Sequence, residues 1–167
     1  KLVLIAAMIA LSVVGRIIFT PVLGFKPVTA MVVITAMYFG SEAGFMTGAL
    51  SALISNFYFG QGPWTPFQMF SWGILGFIAG IIARQLRENK VVLAIYGIVS
   101  GVLYSFLMDV WTVLSADGYF NLSRYLAAVA SAVQFTVIYA VSNVIFLLLF
   151  AKPIGKMLER IKVKYEL

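Results

Sequence analysis

Residues Ser55–Gly80 read SNFYFGQGPWTPFQMFSWGILGFIAG. The middle of this stretch is punctuated by Gly60, Gly62, Pro63 and Pro66, and these residues break a helix. It nevertheless carries Phe57, Tyr58, Phe59, Trp64 and Phe67. Rings on a broken loop between two apolar segments have two physical explanations. They anchor at a membrane–water interface, where Tyr and Trp concentrate, or they close over a cavity. In a membrane protein a loop of this kind does one or the other.

The composition supports that setting. Of 167 residues, 62% are hydrophobic and 11% charged, with a mean hydropathy of +1.02. A soluble domain is about half apolar and about a quarter charged. The expected fold is an all-α integral membrane protein, a compact bundle forming a single domain over residues 1–167. The chain has no Cys and no His. Disulfides, thiolate or imidazole metal sites, a His proton relay and a catalytic triad are thereby excluded. The opening LVLIAAMIALSVV, flanked only by Lys1, reads as a full span rather than a cleavable leader.

Six apolar segments divide the chain: Leu2–Phe19, Val28–Phe39, Ala43–Phe57, Phe67–Leu86, Val91–Leu114 and Tyr125–Ala151. Read as one helix, Val28–Phe57 is about 45 Å long, against a hydrocarbon core of ~30 Å. The break Gly40-Ser41-Glu42-Ala43-Gly44 therefore marks a tight turn between two short spans. Six transmembrane helices put nine of the twelve Lys and Arg on the side of both termini and the Arg84–Lys90 loop. Arg16, Lys26 and Arg124 fall on the other side. The positive-inside rule makes the basic side cytoplasmic in a multi-pass plasma-membrane protein, and its charge favours anionic headgroups. The tail KPIGKMLERIKVKYEL reads either as an interfacial amphipathic helix or as a charged stop.

The longer loops, Thr20–Pro27, Tyr58–Pro66 and Ser115–Arg124, then face outward. Loops on one face of a rigid bundle commonly carry recognition. Polar groups gather beneath the same end. Arg16 closes the first span, and Asp109 lies in the outer part of the fifth. Ionisable groups at such depth pair with one another or line a cavity. Asn56 ends the third span, and Gln68 opens the fourth beside Trp72. Tyr104 and Met108 share a face of the fifth, Gln134 lies in the outer half of the sixth, and Tyr58 and Trp64 stand on the loop above. Amides and rings converging on one end suit a mostly apolar ligand with some hydrogen-bonding edges. Asn143, deeper, suits an interhelical hydrogen bond.

Small residues at four-residue spacing recur at Ala36–Gly40–Gly44–Gly48–Ala52, Gly76–Gly80 and Gly97–Gly101, where they let helices approach closely. Ala6 and Ala10 form such a pair on the terminal first helix, which suits contact with another protein. No G-x-x-x-x-G-K-[ST] occurs, so the chain does not bind ATP through a P-loop. Neither enzyme activity nor a resident cofactor or metal is expected. Uphill transport requires a partner to supply the energy.

The Ala6-x-x-x-Ala10 pair, the run GRIIFTPVLGFKPVTAMVVITAMYFG and the following SNFYFGQGPWTPFQMFSWGILGFIAG resemble the substrate-binding S components of energy-coupling factor (ECF) vitamin transporters. The resemblance covers nearly the whole chain and is greatest to the cobalamin-specific type. It implies a bacterial membrane subunit that captures a vitamin outside. Such a subunit docks through Ala6 and Ala10 on a transmembrane coupling protein carrying two ATPases, then topples to deliver its ligand. Riboflavin, folate or a benzimidazole nucleoside suits an aromatic, amide-rich pocket as cobalamin does. The contrasting expectation is a self-sufficient secondary transporter with Asp109 as its proton site, but the chain lacks a clear inverted repeat.

Overall fold

A computed structural model describes the chain over Lys1–Leu167. It contains eight helices: α1 (Leu2–Ile18), α2 (Val28–Phe39), α3 (Ser41–Phe59), α4 (Trp64–Ile81), α5 (Ala83–Glu88), α6 (Lys90–Asp117), α7 (Leu122–Ser131) and α8 (Val133–Lys164). The expected count of six is corrected because two apolar segments are each broken in two. The fourth breaks at Ile82, where the sequence turns charged. There α5 buries Leu86 and leaves Arg84 and Arg87 outside. The last breaks at Ala132, and α7, which buries none of its residues, is instead tied to the end of α6. Arg124 pairs with Asp117 at 2.7 Å, and the Tyr125 hydroxyl donates to the Phe106 carbonyl.

Only α6 and α8 are long and apolar enough to cross a membrane; α1 and α2 are apolar but shorter. Helix α3 is long enough, but its inward face carries Thr47, Ser51, Ser55 and Asn56. The centre of the bundle is α2. It has no polar face, and every residue from Val28 to Met37 is buried. A helix that is apolar all round belongs inside. The outer surface is apolar as well, with Phe70, Phe77, Phe106, Leu148 and Leu149 among its exposed residues. Such a surface suits lipid rather than water.

Gly40 reverses the chain between α2 and α3 in one residue, at φ 94°. Nothing lies within 4 Å of where a Cβ would stand, so glycine serves conformation here rather than packing. Glycines elsewhere set helix contacts. Gly44 meets Gly76, and Gly48 meets the backbone at Trp72 and Gly73, joining α3 to α4. Gly101 meets the Ala140 backbone, joining α6 to α8. Asn143 Nδ2 adds a hydrogen bond across that second seam, to the Gly97 carbonyl at 3.2 Å. The broken loop is shorter than the glycines and prolines suggested. Helix α3 runs on to Phe59, and Pro66 sits in the first turn of α4, where a missing N–H costs nothing.

The charges segregate by end. Gly15 packs on Pro27, so α1 and α2 meet at one end and run antiparallel from it. At the other end Lys162 Nζ donates to the Tyr38 carbonyl at 2.8 Å, and the Arg87 guanidinium lies 5.7 Å from the Tyr38 ring. Both termini and the Arg84–Lys90 segment therefore share the basic end. The basic tail is neither a separate interfacial helix nor a simple stop. It continues α8 and packs Gly155 and Leu158 back against the bundle.

Candidate functional site

At the end opposite the termini, side chains from four helices form one hydrogen-bonded chain. Arg16 Nη1 on α1 donates to Ser55 Oγ at 2.5 Å and to Asn56 Oδ1 at 2.9 Å. Asn56 Nδ2 on α3 donates to Gln68 Oε1 at 2.7 Å and to Thr65 Oγ1 at 3.1 Å. Gln68 Nε2 on α4 donates to the Tyr104 hydroxyl on α6 at 3.1 Å. Asn56 and Gln68 are both buried, and this is how their amides are satisfied. Beneath the chain, Tyr104 stacks on the buried Trp72 with ring centroids 4.9 Å apart, and Tyr139 meets Tyr104 edge-on.

This network borders a cavity of about 360 Å³ lined by Arg16, Lys26, Gln68, Tyr104, Met108 and Asp109, and on α8 by Phe135 and Tyr139. Ser105 and Ala132 complete it. The ammonium of Lys26 lies between 5.2 and 5.6 Å from the rings of Trp72, Tyr139 and Tyr104. The loop holding it is pinned to α8: Lys26 N donates to Ser142 Oγ, whose hydroxyl donates to the Lys26 carbonyl. Burial, and then the nearby Arg16, pull the Lys26 ammonium down to about 7.

Asp109 makes no ion pair with Arg16 or Lys26. The ion pairs are Arg84–Glu88 and Arg124–Asp117, both elsewhere. Asp109 is buried, and its Oδ2 has no hydrogen-bond partner. The cavity thus presents the Arg16 guanidinium, the Lys26 amino group and one unpartnered carboxylate among aromatic rings. It has hydrogen-bonding capacity of both kinds for a bound molecule.

Of the residues singled out from sequence, the structure brings Arg16, Gln68, Tyr104, Met108 and Asp109 to the cavity wall. Asn56 and Trp72 stand one layer behind, holding Gln68 and Tyr104. Three lie elsewhere. Tyr58 is exposed and packs edge-on against Phe59. Trp64 is 38% exposed and lies over Gly62, so it is not a lid on this cavity. Gln134 is exposed on α8. The wall there is instead Ala132, which caps α8, with Phe135 and Tyr139 on the helix, spaced for a single face that excludes 134. Lys26 is the residue that sequence reasoning missed. Its signal was a lysine abutting an apolar span on the poorly basic side.

Ala6 and Ala10 are exposed on the outside of α1, whose inward face is Ile5, Met8, Ile9 and Ser12. Nothing in the bundle covers the pair.

The family model for the S component of ECF-type riboflavin transporters matches residues 1–160. The chain belongs to that family, and is therefore a vitamin-binding transporter subunit of the membrane. No curated protein and no solved structure matches it.

Proposed function

We propose that this chain captures a vitamin of riboflavin size in the cavity at its outer end, and hands it to an ECF coupling module. The observation carrying this reading is the unpartnered Asp109 carboxylate lining the same ring-walled cavity as Arg16 and Lys26. About 360 Å³ falls within the ordinary range of small-molecule sites, ~300–1,000 Å³. A tricyclic isoalloxazine suits the rings of Tyr104, Phe135 and Tyr139, and a polyhydroxylated tail suits Asp109, Gln68 and the cations. The family's description supports the same ligand. In this reading the subunit is no enzyme. Ala6 and Ala10 dock on the coupling protein, its two ATPases supply energy, and toppling delivers the vitamin to the cytoplasm of a bacterial cell.

Cobalamin is the second reading. It is several times bulkier than the cavity, but one wall gives it a route. Ala132 and Phe135 lead into α7, which buries none of its residues and so leaves room for the site to widen. Proton-coupled transport through Asp109 is disfavoured. Asp109 is the one buried carboxylate in the chain, so no second acid continues a proton path from it toward the basic end. Thermal-shift screening of the purified chain against riboflavin, folate, cobalamin and benzimidazole nucleosides tests the proposal. Stabilisation by riboflavin above the others supports it; stabilisation by none of them overturns it.

A further inference from the structure

A second cavity, of about 280 Å³, lies at the basic end between the end of α2, α5, the start of α6 and α8. Its rim carries Arg87, Lys90, Lys152 and Lys156. None of the four makes an ion pair. The one acid on the rim, Glu88, is held by Arg84 at 3.0 Å. The floor is apolar and buried, with Leu86, Leu93 and Leu147 each under 5% exposed. One wall opens on the lipid-facing side of α8, where Leu148 is 46% exposed. The cavity is held in shape by the Lys162–Tyr38 hydrogen bond and the Gly155–Tyr38 contact, which clamp α8 over the end of α2.

We propose that this cavity binds the headgroup of an anionic phospholipid, with the acyl chains lying along α8 beside Leu148. Four cations without ion pairs around one rim call for a phosphate. The apolar floor and the open apolar wall immediately below call for the glycerol and chains attached to it. An acidic segment of a protein uses the cations but has no need of that wall. Basic pockets between membrane helices on the cytoplasmic side take anionic headgroups in this way. The volume admits a headgroup and leaves the chains outside. The proposal does not involve the outer cavity and stands apart from the vitamin reading.

The test is native mass spectrometry of the full chain with dioleoyl phosphatidylglycerol, dioleoyl phosphatidylcholine, glycerol phosphate and a polyglutamate peptide. Phosphatidylglycerol is expected to be retained well above phosphatidylcholine. Arg87→Gln combined with Lys152→Gln is expected to lower that retention roughly thirtyfold. Lys164→Gln, outside the cavity, leaves it unchanged. Equal retention of the two lipids overturns the proposal. So does displacement of the lipid by glycerol phosphate, which marks a free-anion site, or by the peptide, which marks a protein-docking site. Unchanged retention in the double variant overturns it as well. Should that variant fail to fold, lipid selectivity and the two competitions on the unaltered chain decide.

Discussion

Asn56 Nδ2 donates to Gln68 Oε1 across 2.7 Å, joining α3 to α4 directly behind the outer cavity. The same Asn56 accepts from Arg16, and the same Gln68 donates to Tyr104. One buried pair of amides therefore orients a cation and a phenol that both face the cavity. A half-satisfied polar network is worse than none, so the pair fixes these groups in one arrangement.

Asn56→Leu leaves Arg16 and Gln68 short of partners in a buried place. A cost of about 1–3 kcal/mol per orphaned group is expected. The thermal midpoint should fall, and riboflavin affinity should drop about tenfold or more as Arg16 and Tyr104 lose their positions. Differential scanning fluorimetry and titration check the two effects separately.

Asp109→Asn removes the unpartnered carboxylate and keeps its shape. If Asp109 accepts hydrogen bonds from the ligand, affinity falls by about 1.5–3 kcal/mol, the range for bonds to a charged group. Gln134→Ala and Trp64→Ala, at positions away from the cavity, are expected to leave affinity within about twofold. Tight binding by the Asp109 variant together with loss in the Gln134 variant contradicts the assigned wall.

Lys26 supplies a pH dependence. Its ammonium is pulled down to about 7 from 10.5, so between these values the unfolded chain holds a proton that the folded one lacks. Stability then rises with pH through that window, by up to about 1.4 kcal/mol per unit, and is lowest below about 7. The thermal midpoint of the ligand-free chain should rise from pH 7 to 9. That of Lys26→Met should rise less, and a parallel pair of curves refutes the burial of the ammonium.

Ala6→Trp places a large ring on an exposed, uncovered face of α1. Vitamin binding by the lone chain should be unchanged, whereas uptake with the coupling protein and ATPases should be lost. Uptake that survives removes Ala6 from the docking surface.

The outer cluster was legible because its residue types are rare within apolar segments. Arg16, Gln68 and Asp109 carry their own warning, and Tyr104 and Met108 follow one helical stripe. Lys26 was not legible as a wall residue because an isolated loop lysine reads as solvated. Its enclosure depends on a turn at Gly24, with φ 77°, and on Ser142, 116 residues away. Gln134 misled because depth along a helix was readable but its facing was not. The bend at Ala132 sets which residues of α8 look inward. The number of helices was hidden for a similar reason. Neither Ile82 nor Ala132 is a helix breaker by residue type, and what marks the short helices in the structure is long-range: the burial of Leu86 and the Tyr125 hydrogen bond to Phe106.

The most direct measurement is a calorimetric titration of the purified chain, without partners or ATP, against riboflavin and cobalamin in turn. Tyr139→Ala and Gln68→Ala serve as the paired variants. The account predicts one riboflavin per chain, tighter than cobalamin, with affinity reduced at least about tenfold in each variant. Absence of binding by the lone chain, or binding that survives both substitutions unchanged, contradicts it.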